Sequence, residues 1–361
     1  RTNTQSATAF RGFGGPQGML GIERVMDHIA PALGNDPLAV RRANFYAEAA
    51  EGGALPPAPG GAGVSPRDIS AKSRADAALA PGVDPSSRAA VGLGGSPTAV
   101  PAAAGQTTPY HMPVEDFALH RMTGRLIATS DYAARRAAVA ALKRANPILK
   151  RGIALTPVMF GSAFTLTDVN QAGALVHVYQ DGSVHLNHGG TEMGQGLFQK
   201  VAQVAAQVFG IDAEAVKITA TDTGKVPNTS ATAASSGSDL NGMAARAACE
   251  TIRDRIALHL AEKHQSDPAA VRFADGQVSI GGDEMTFAEA AMSAYLGRVS
   301  LSATGYYTTP KLSWDRRRGM GRPFYYFAYG AAVSEVVIDP LTGEHRILRA
   351  YILHDCGTSR P

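Results

Sequence analysis

Arg11 and Phe13 stand two residues apart in the run Ala9-Phe10-Arg11-Gly12-Phe13-Gly14-Gly15-Pro16-Gln17. In extended chain alternate side chains share a face, so this spacing sets a cation and an aromatic plate in one pocket. A surface ion-pairing Arg11 beside a core Phe13 is the equally open alternative. Three other segments join glycine to polar groups, where the missing Cβ lets backbone approach a ligand. They are Phe160-Gly161-Ser162-Ala163-Phe164-Thr165, Gly189-Gly190-Thr191-Glu192-Met193-Gly194-Gln195-Gly196 and Thr229-Ser230-Ala231-Thr232-Ala233-Ala234-Ser235-Ser236-Gly237. The 189–196 segment opens a helical pattern, so its free N–H groups and the helix dipole would seat an anion, unless it is only a tight turn. The Gln195 amide both donates and accepts, which suits the edge of a heterocycle better than a bare phosphate. The 229–237 segment precedes a second helix in the same way. Together the two would hold one extended, phosphate-bearing ligand from both sides. Glu192 is the only carboxylate in these segments, and an isolated loop glutamate is expected to be solvated or ion-paired instead of acting as a base.

Other chemistries lack their spacing. His185-Leu186-Asn187-His188 would point its imidazoles to opposite faces of a strand, so hydrogen-bonded or solvated histidines are expected there instead of a metal pair. There is no G-x-S-x-G elbow. Cys249 and Cys356 show no C-x-x-C spacing, which excludes an iron–sulfur motif within the sequence and fits a reducing, cytoplasmic compartment. The net charge of +3 is too small for the footprint of a nucleic-acid binder, and no apolar run approaches the roughly 20 residues that span a bilayer. Neither nucleic acid nor membrane is an expected partner. The 361 residues, 45% of them hydrophobic, are ample for packed cores.

The elements that must position these segments are partly readable. Apolar spacing at Ile22, Val25, Met26 and Ile29 predicts helix from Gly18 to Tyr46. Residues 50–108 are dominated by Ala, Gly, Pro and Ser and carry no aromatic side chain, which predicts a linker or disordered insertion between segments 1–49 and 109–361. Helices are predicted from Val114 to Ile127 and from Asp131 to Arg144, the second stopped by Pro147. From Arg151 alternating strands begin, with a hairpin over 174–186 turning at Asp181-Gly182. Then follow a helix from Leu197 closed by Gly210, a strand over 216–220, a helix from Leu240 to Lys263, and strands near 271–280 and 327–353. Hairpins interleaved with helices predict an α+β fold.

The run from Thr2 to Gln17, Asn170-Gln171-Ala172-Gly173-Ala174-Leu175, the 189–196 segment and Val226-Pro227-Asn228-Thr229-Ser230-Ala231-Thr232-Ala233-Ala234-Ser235 together resemble the molybdenum-binding subunit of the xanthine dehydrogenase family, bacterial type. The resemblance covers nearly all the chain outside 47–110. It implies an α+β molybdopterin-binding domain of the xanthine dehydrogenase/aldehyde oxidase type that hydroxylates purines with water as oxygen source. Electrons would pass through 2Fe-2S clusters to FAD and then NAD on a partner subunit or domain, in a heterotetramer of two large and two small subunits. Matched residue by residue, Arg11 would lie beside the molybdenum, Phe13 and Phe164 would sandwich the purine, and Thr165 would hydrogen-bond it. Met193, Gly194, Gln195, Ala234, Ser235 and Ser236 would line the pterin.

The sequence departs from the family pattern in ways that bear on activity. The family's catalytic Glu, in a Lys-Ala-Val-Gly-Glu-Pro-Pro run, would belong beyond Pro361, and a molybdenum-contacting glutamine with a substrate-binding Glu and Arg would belong before Arg1. The opening at Arg1 and the ending Cys356-Gly357-Thr358-Ser359-Arg360-Pro361 both read as cuts, so an inactive internal fragment is expected. Aldehyde oxidase, another heteroaromatic hydroxylase, and a noncatalytic cofactor- or partner-binding remnant are the alternatives.

Overall fold

The computed structural model describes residues 12, 14–47, 106–114, 117–225 and 229–355. Arg11, Phe13, nearly all of the 50–108 segment and the 356–361 ending lie outside the described residues.

Two helices, α1 (Gly15–Ala32) and α2 (Pro37–Ala43), replace the single predicted helix. The break is written in Gly34-Asn35-Asp36-Pro37. Gly34 turns left-handed at φ 66°, Asp36 caps α2 by accepting from the Leu38 and Ala39 N–H groups, and Pro37 occupies the first helical position. The α1 stripe of Ile22, Val25 and Ile29 is exposed, while buried Arg41 ties the two helices through Glu23 and Asp27.

The described residues begin again at Gln106, before the predicted linker ends. Thr108 is buried, and the Ala47 N–H donates to Gln106 Oε1 at 2.9 Å. The flanks of the insertion therefore meet, and Phe117 packs edge-on against both Phe45 and Tyr46. Helix α3 runs Leu119–Thr129, later than predicted because Pro113 pairs with Thr107 in an isolated bridge. Helix α4 (Tyr132–Ala145) stops where Asn146 turns extended before Pro147.

The antiparallel sheet β1 (Lys150–Ser162), β11 (Tyr326–Ile338) and β12 (His345–Asp355) has β11 at its centre. Arg135 of α4 and Arg151 of β1 both pair with Glu335, which is buried on β11 and bonds helix layer to sheet.

The larger core lies between a four-stranded sheet, ordered β4 (Val216–Ile218), β3 (Val184–His188), β2 (Gln171–Val178) and β8 (Ser302–Thr308), and two helices. Its hairpin is as predicted: β2 (Gln171–Val178) and β3 (Val184–His188) turn through Gly182 at φ 81°. Helix α5 (Leu197–Phe209) follows, ends at left-handed Gly210, and returns the chain to β4 (Val216–Ile218), parallel to β3. Helix α6 (Gly237–Lys263) buries Ala244, Ala248, Ile252 and Ile256 completely. It packs close to β8 (Ser302–Thr308) because a Cβ on Gly305 would stand 2.0 Å from the Ala244 carbonyl oxygen. A meander of β5 (Arg272–Ala274), β6 (Gln277–Ile280) and β7 (Asp283–Thr286) leads into α7 (Phe287–Leu296), which opens with a Thr286/Glu289 capping box. A short β9 (Ser313–Asp315), β10 (Met320–Arg322) ribbon completes the α+β architecture. Among the described residues no helix is long and apolar enough to cross a membrane.

Candidate functional site

Helices α5 and α6 begin side by side, each behind one of the glycine- and serine-rich loops. Gly189 and Gly190 carry the chain from β3 into the first loop through a gap with no room for side chains. A Cβ on Gly189 would stand 1.9 Å from Thr229 Cγ2, and one on Gly190 2.7 Å from Asn241 Nδ2. The loops are also bonded directly: the Thr191 N–H donates to Thr232 Oγ1 at 2.8 Å. The structure thus ties the loop that carries Met193, Gly194 and Gln195 to the loop that carries Ala234, Ser235 and Ser236.

The first loop is closed by its own side chains, which corrects the expectation of an open anion seat at α5. Glu192 Oε1 accepts from the Gly194 and Gly196 N–H groups at 2.8 and 3.0 Å, and Oε2 accepts from the Phe198 N–H at 3.1 Å. These backbone donors, that of Phe198 foremost, hold the Glu192 carboxyl below the usual range. Glu192 is neither merely solvated nor ion-paired; it is the anion at that helix end, and its lowered proton affinity makes it a poor base. Gly194 and Gly196, at φ 88° and 73°, provide the reversal that brings the carboxylate onto these N–H groups. The Gln195 amide is also engaged, donating to the Thr191 carbonyl at 2.8 Å and accepting from the Met193 N–H at 2.5 Å. One N–H and one lone pair remain on Gln195 for a ligand.

The second loop is built the other way. Ala234 and Ser235 both sit left-handed, at φ 54° and 58°, a conformation unfavourable for a side chain and concentrated at functional sites. Buried Ser236 donates its hydroxyl to the Ala233 carbonyl, and no side chain caps α6. Exposed Ser235 stands beside that uncapped helix end.

Phe164 and Thr165 follow β1. Buried Asn170 shapes their turn: its Oδ1 accepts from the Phe164 N–H at 2.8 Å and its Nδ2 donates to the Phe164 carbonyl at 2.9 Å. Phe164 is half-buried and Thr165 exposed. The neighbouring Gln171 carbonyl accepts from the Ser230 N–H at 3.1 Å, joining this turn to the second loop. Tyr326, opposite Ser162 in the sheet, adds a second tie by donating to Asp239 Oδ2 at 2.7 Å. Gly15, at the start of α1, lies over Phe160, which brings the end of the Arg11 segment to the same strand end. Sequence reasoning passed over Asn170 and Asn241 as site builders; each does its work through a turn or helix visible only after folding.

Within the candidate site, the loops fit a pterin that carries a phosphate. Gln195 keeps one donor and one acceptor for a heterocycle edge, and the uncapped α6 end beside Ser235 suits an anion.

The Molybdopterin cofactor-binding domain family matches twice, over residues 1–45 and 125–360, and the chain belongs to this family. Its cofactor is accordingly molybdopterin. The chain is 39% identical over 359 residues to xanthine dehydrogenase/oxidase of Mus musculus and 36% identical over 362 residues to xanthine dehydrogenase of Dictyostelium discoideum. Each match covers 99% of this chain and 21% of the relative, so the chain spans about a fifth of the length of these curated relatives. The fold is that of CO dehydrogenase from Oligotropha carboxidovorans, at TM-score 0.68 and 19% identity over 98% of this chain and 38% of that one. Quinoline 2-oxidoreductase from Pseudomonas putida 86 is similar, at TM-score 0.67 and 21% identity over 97% of this chain and 38% of its own.

Proposed function

We propose that this chain is the molybdopterin-holding part of a xanthine dehydrogenase, within a larger assembly that oxidises hypoxanthine and xanthine to urate. The observation that carries the reading is the 39% identity to a xanthine dehydrogenase/oxidase over 99% of the chain. The net reaction is xanthine plus water plus NAD⁺ giving urate, NADH and a proton. When bound, the molybdenum centre supplies the two-electron redox chemistry and the oxygen-transfer site.

The protein's own residues bind and orient. Phe164, with Phe13, stacks on the flat purine, and Thr165 offers it a hydroxyl. Met193, Gly194 and Gln195 line the pterin, Ala234, Ser235 and Ser236 seat its phosphate at the α6 end, and Arg11 lies beside the metal. The carboxyl base is contributed from outside these residues, since Glu192 is committed to backbone. The 2Fe-2S clusters and FAD belong to a partner subunit or domain in a cytoplasmic heterotetramer.

Production of the 361-residue chain with molybdenum cofactor, with and without the remainder of the assembly, tests this reading. Urate is expected only from the assembly, because loss of a general base typically costs about 10²–10⁴-fold. In the assembly, Phe164→Ala lowers turnover while molybdenum content stays near wild type. Turnover by the chain alone within tenfold of the assembly, or an assembly that oxidises aldehydes and not purines, overturns the proposal.

A further inference from the structure

His188 is the last residue of β3 and leads directly into Gly189 and Gly190. Its side chain is 1% exposed, and Phe198 of α5 packs edge-on against it at 5.2 Å. Nδ1 accepts the Gly190 N–H at 3.0 Å. A nitrogen that accepts carries no proton, so the neutral ring has its hydrogen on Nε2. That buried Nε2 has no hydrogen-bond partner, and neither has the buried Oδ1 of Asn241. The Asn241 side chain nonetheless supports the ring's proton affinity against burial, so the two groups lie within reach of each other. One atom is an orphan donor and the other an orphan acceptor. Buried polar groups are almost always satisfied, by protein or by ordered water.

Asn241 reaches the other loop: its Nδ2 donates to the carbonyl of Gly237, the first residue of α6, at 2.8 Å. Ring, amide and helix end therefore form one chain of polar groups running from the first cofactor loop to the second. Thr221 reinforces its near end by donating to the carbonyls of His188 and Gly190 at 3.3 and 3.0 Å. Burial drives the His188 pKa down to about 4, so the ring remains neutral and its roles as acceptor and donor are fixed.

We infer that His188 is a positioning residue: paired with Asn241 directly or through one buried water, its Nε2–H latches the 189–196 loop to the first turn of α6 and sets the gap that receives the cofactor. This rests on the reading of the two loops as the molybdopterin seat. A ring that served only as packing would be replaceable by phenylalanine, whereas a latch needs its two polar atoms.

The test uses the full chain, produced with molybdenum cofactor. Pterin retained after purification is measured by fluorescence following oxidative release. His188→Phe is expected to lose tenfold or more of the bound pterin and His188→Gln less than threefold; equal retention by both, or better retention by His188→Phe, overturns the latch. Independently of any variant, long-range ¹H–¹⁵N spectra of histidine-labelled wild type between pH 5 and 8 should show His188 protonated on Nε2 alone throughout. A proton on Nδ1, or a ring that titrates near pH 6.5, also overturns it. Asn241→Leu should speed exchange of the Gly190 amide at least tenfold, and an unchanged rate counts against the latch. If wild type retains no pterin, the functional reading fails, and the spectra and the exchange rate still decide the latch.

Discussion

Two helices start side by side, and only one has its end stopped. At α5 the Glu192 carboxylate takes the N–H groups of Gly194, Gly196 and Phe198, so the positive end of the helix meets a negative charge from its own loop. At α6 the Ser236 hydroxyl turns back to Ala233, and two left-handed residues carry the chain past an uncapped end. Glycine content made the two loops look equivalent. On the proposed reading their difference divides the work: the α5 loop is a self-bonded platform that would present Gln195, and the uncapped α6 end would take the anion.

The largest effect is expected where the loops touch. Gly189→Ala would set a methyl 1.9 Å from Thr229 Cγ2 and 2.6 Å from its Cβ, so trimming Thr229 to alanine gives no relief. Overpacking of this kind typically costs about 1–3 kcal/mol. The expected outcome is loss of bound pterin together with a lowered urea midpoint. A variant with full pterin content would mean that the loops move apart at no cost and do not form one seat.

Beneath the α5 loop lies a buried histidine. The His188 ring packs against Phe198 and accepts the Gly190 N–H, and burial lowers its pKa from 6.5 to about 4. A depressed histidine favours the neutral form in the folded state, so its contribution is complete above pH 6.5 and is lost as pH falls from 6.5 towards 4. The shift is worth on the order of 3 kcal/mol. Urea unfolding of wild type at pH 7 and 4.5 should therefore show a steeper acid loss than in His188→Gln. Parallel losses would show that the ring titrates normally.

A charge placed at α6 separates stability from binding. Ser235 already sits left-handed, a conformation that aspartate tolerates, so Ser235→Asp brings a carboxylate to the uncapped helix end without new strain. The helix should gain about 0.3–1 kcal/mol. A phosphate at the same place would be repelled, and retained pterin should fall about tenfold. Undiminished pterin in this variant would move the anion seat away from α6.

What was legible before folding follows the range of each signal. The Gly210 stop, the Asp181-Gly182 hairpin and the helix from Leu240 to Lys263 are set by neighbours within a few residues, and all are present. The break at Gly34-Asn35-Asp36-Pro37 was equally local; the apolar spacing on either side masked it. The four loops were legible as glycine joined to polar groups, and the family resemblance gave their residues roles. The role of Glu192 was not legible, because it depends on a reversal by Gly194 and Gly196 that leaves no periodic trace. Nor was the apposition of His188 and Asn241, which lie on different elements and meet only when α6 packs across the sheet. The exposed α1 stripe shows the converse: helical spacing identifies an apolar face without showing what covers it.

The smallest effect belongs to the platform itself. Glu192→Ala removes the carboxylate that accepts the Gly194, Gly196 and Phe198 N–H groups, leaving exposed donors that water satisfies in part. A fall in Tm of about 2–4 °C is expected, and a smaller one for Glu192→Gln, which keeps an acceptor oxygen. Because the folded-state pKa of Glu192 is lowered, its contribution is present above the unfolded value of 4.5 and is lost as pH falls through the folded one. The Tm difference between wild type and Glu192→Ala should accordingly shrink on acidification from pH 7 to 4. Pterin retention in Glu192→Ala should stay within threefold of wild type, since the carboxylate supports the loop and does not hold the ligand's anion. A variant with unchanged Tm and increased pterin or inorganic phosphate binding would show that Glu192 only occludes a seat at α5, and the asymmetry between the two helix ends would fall with it.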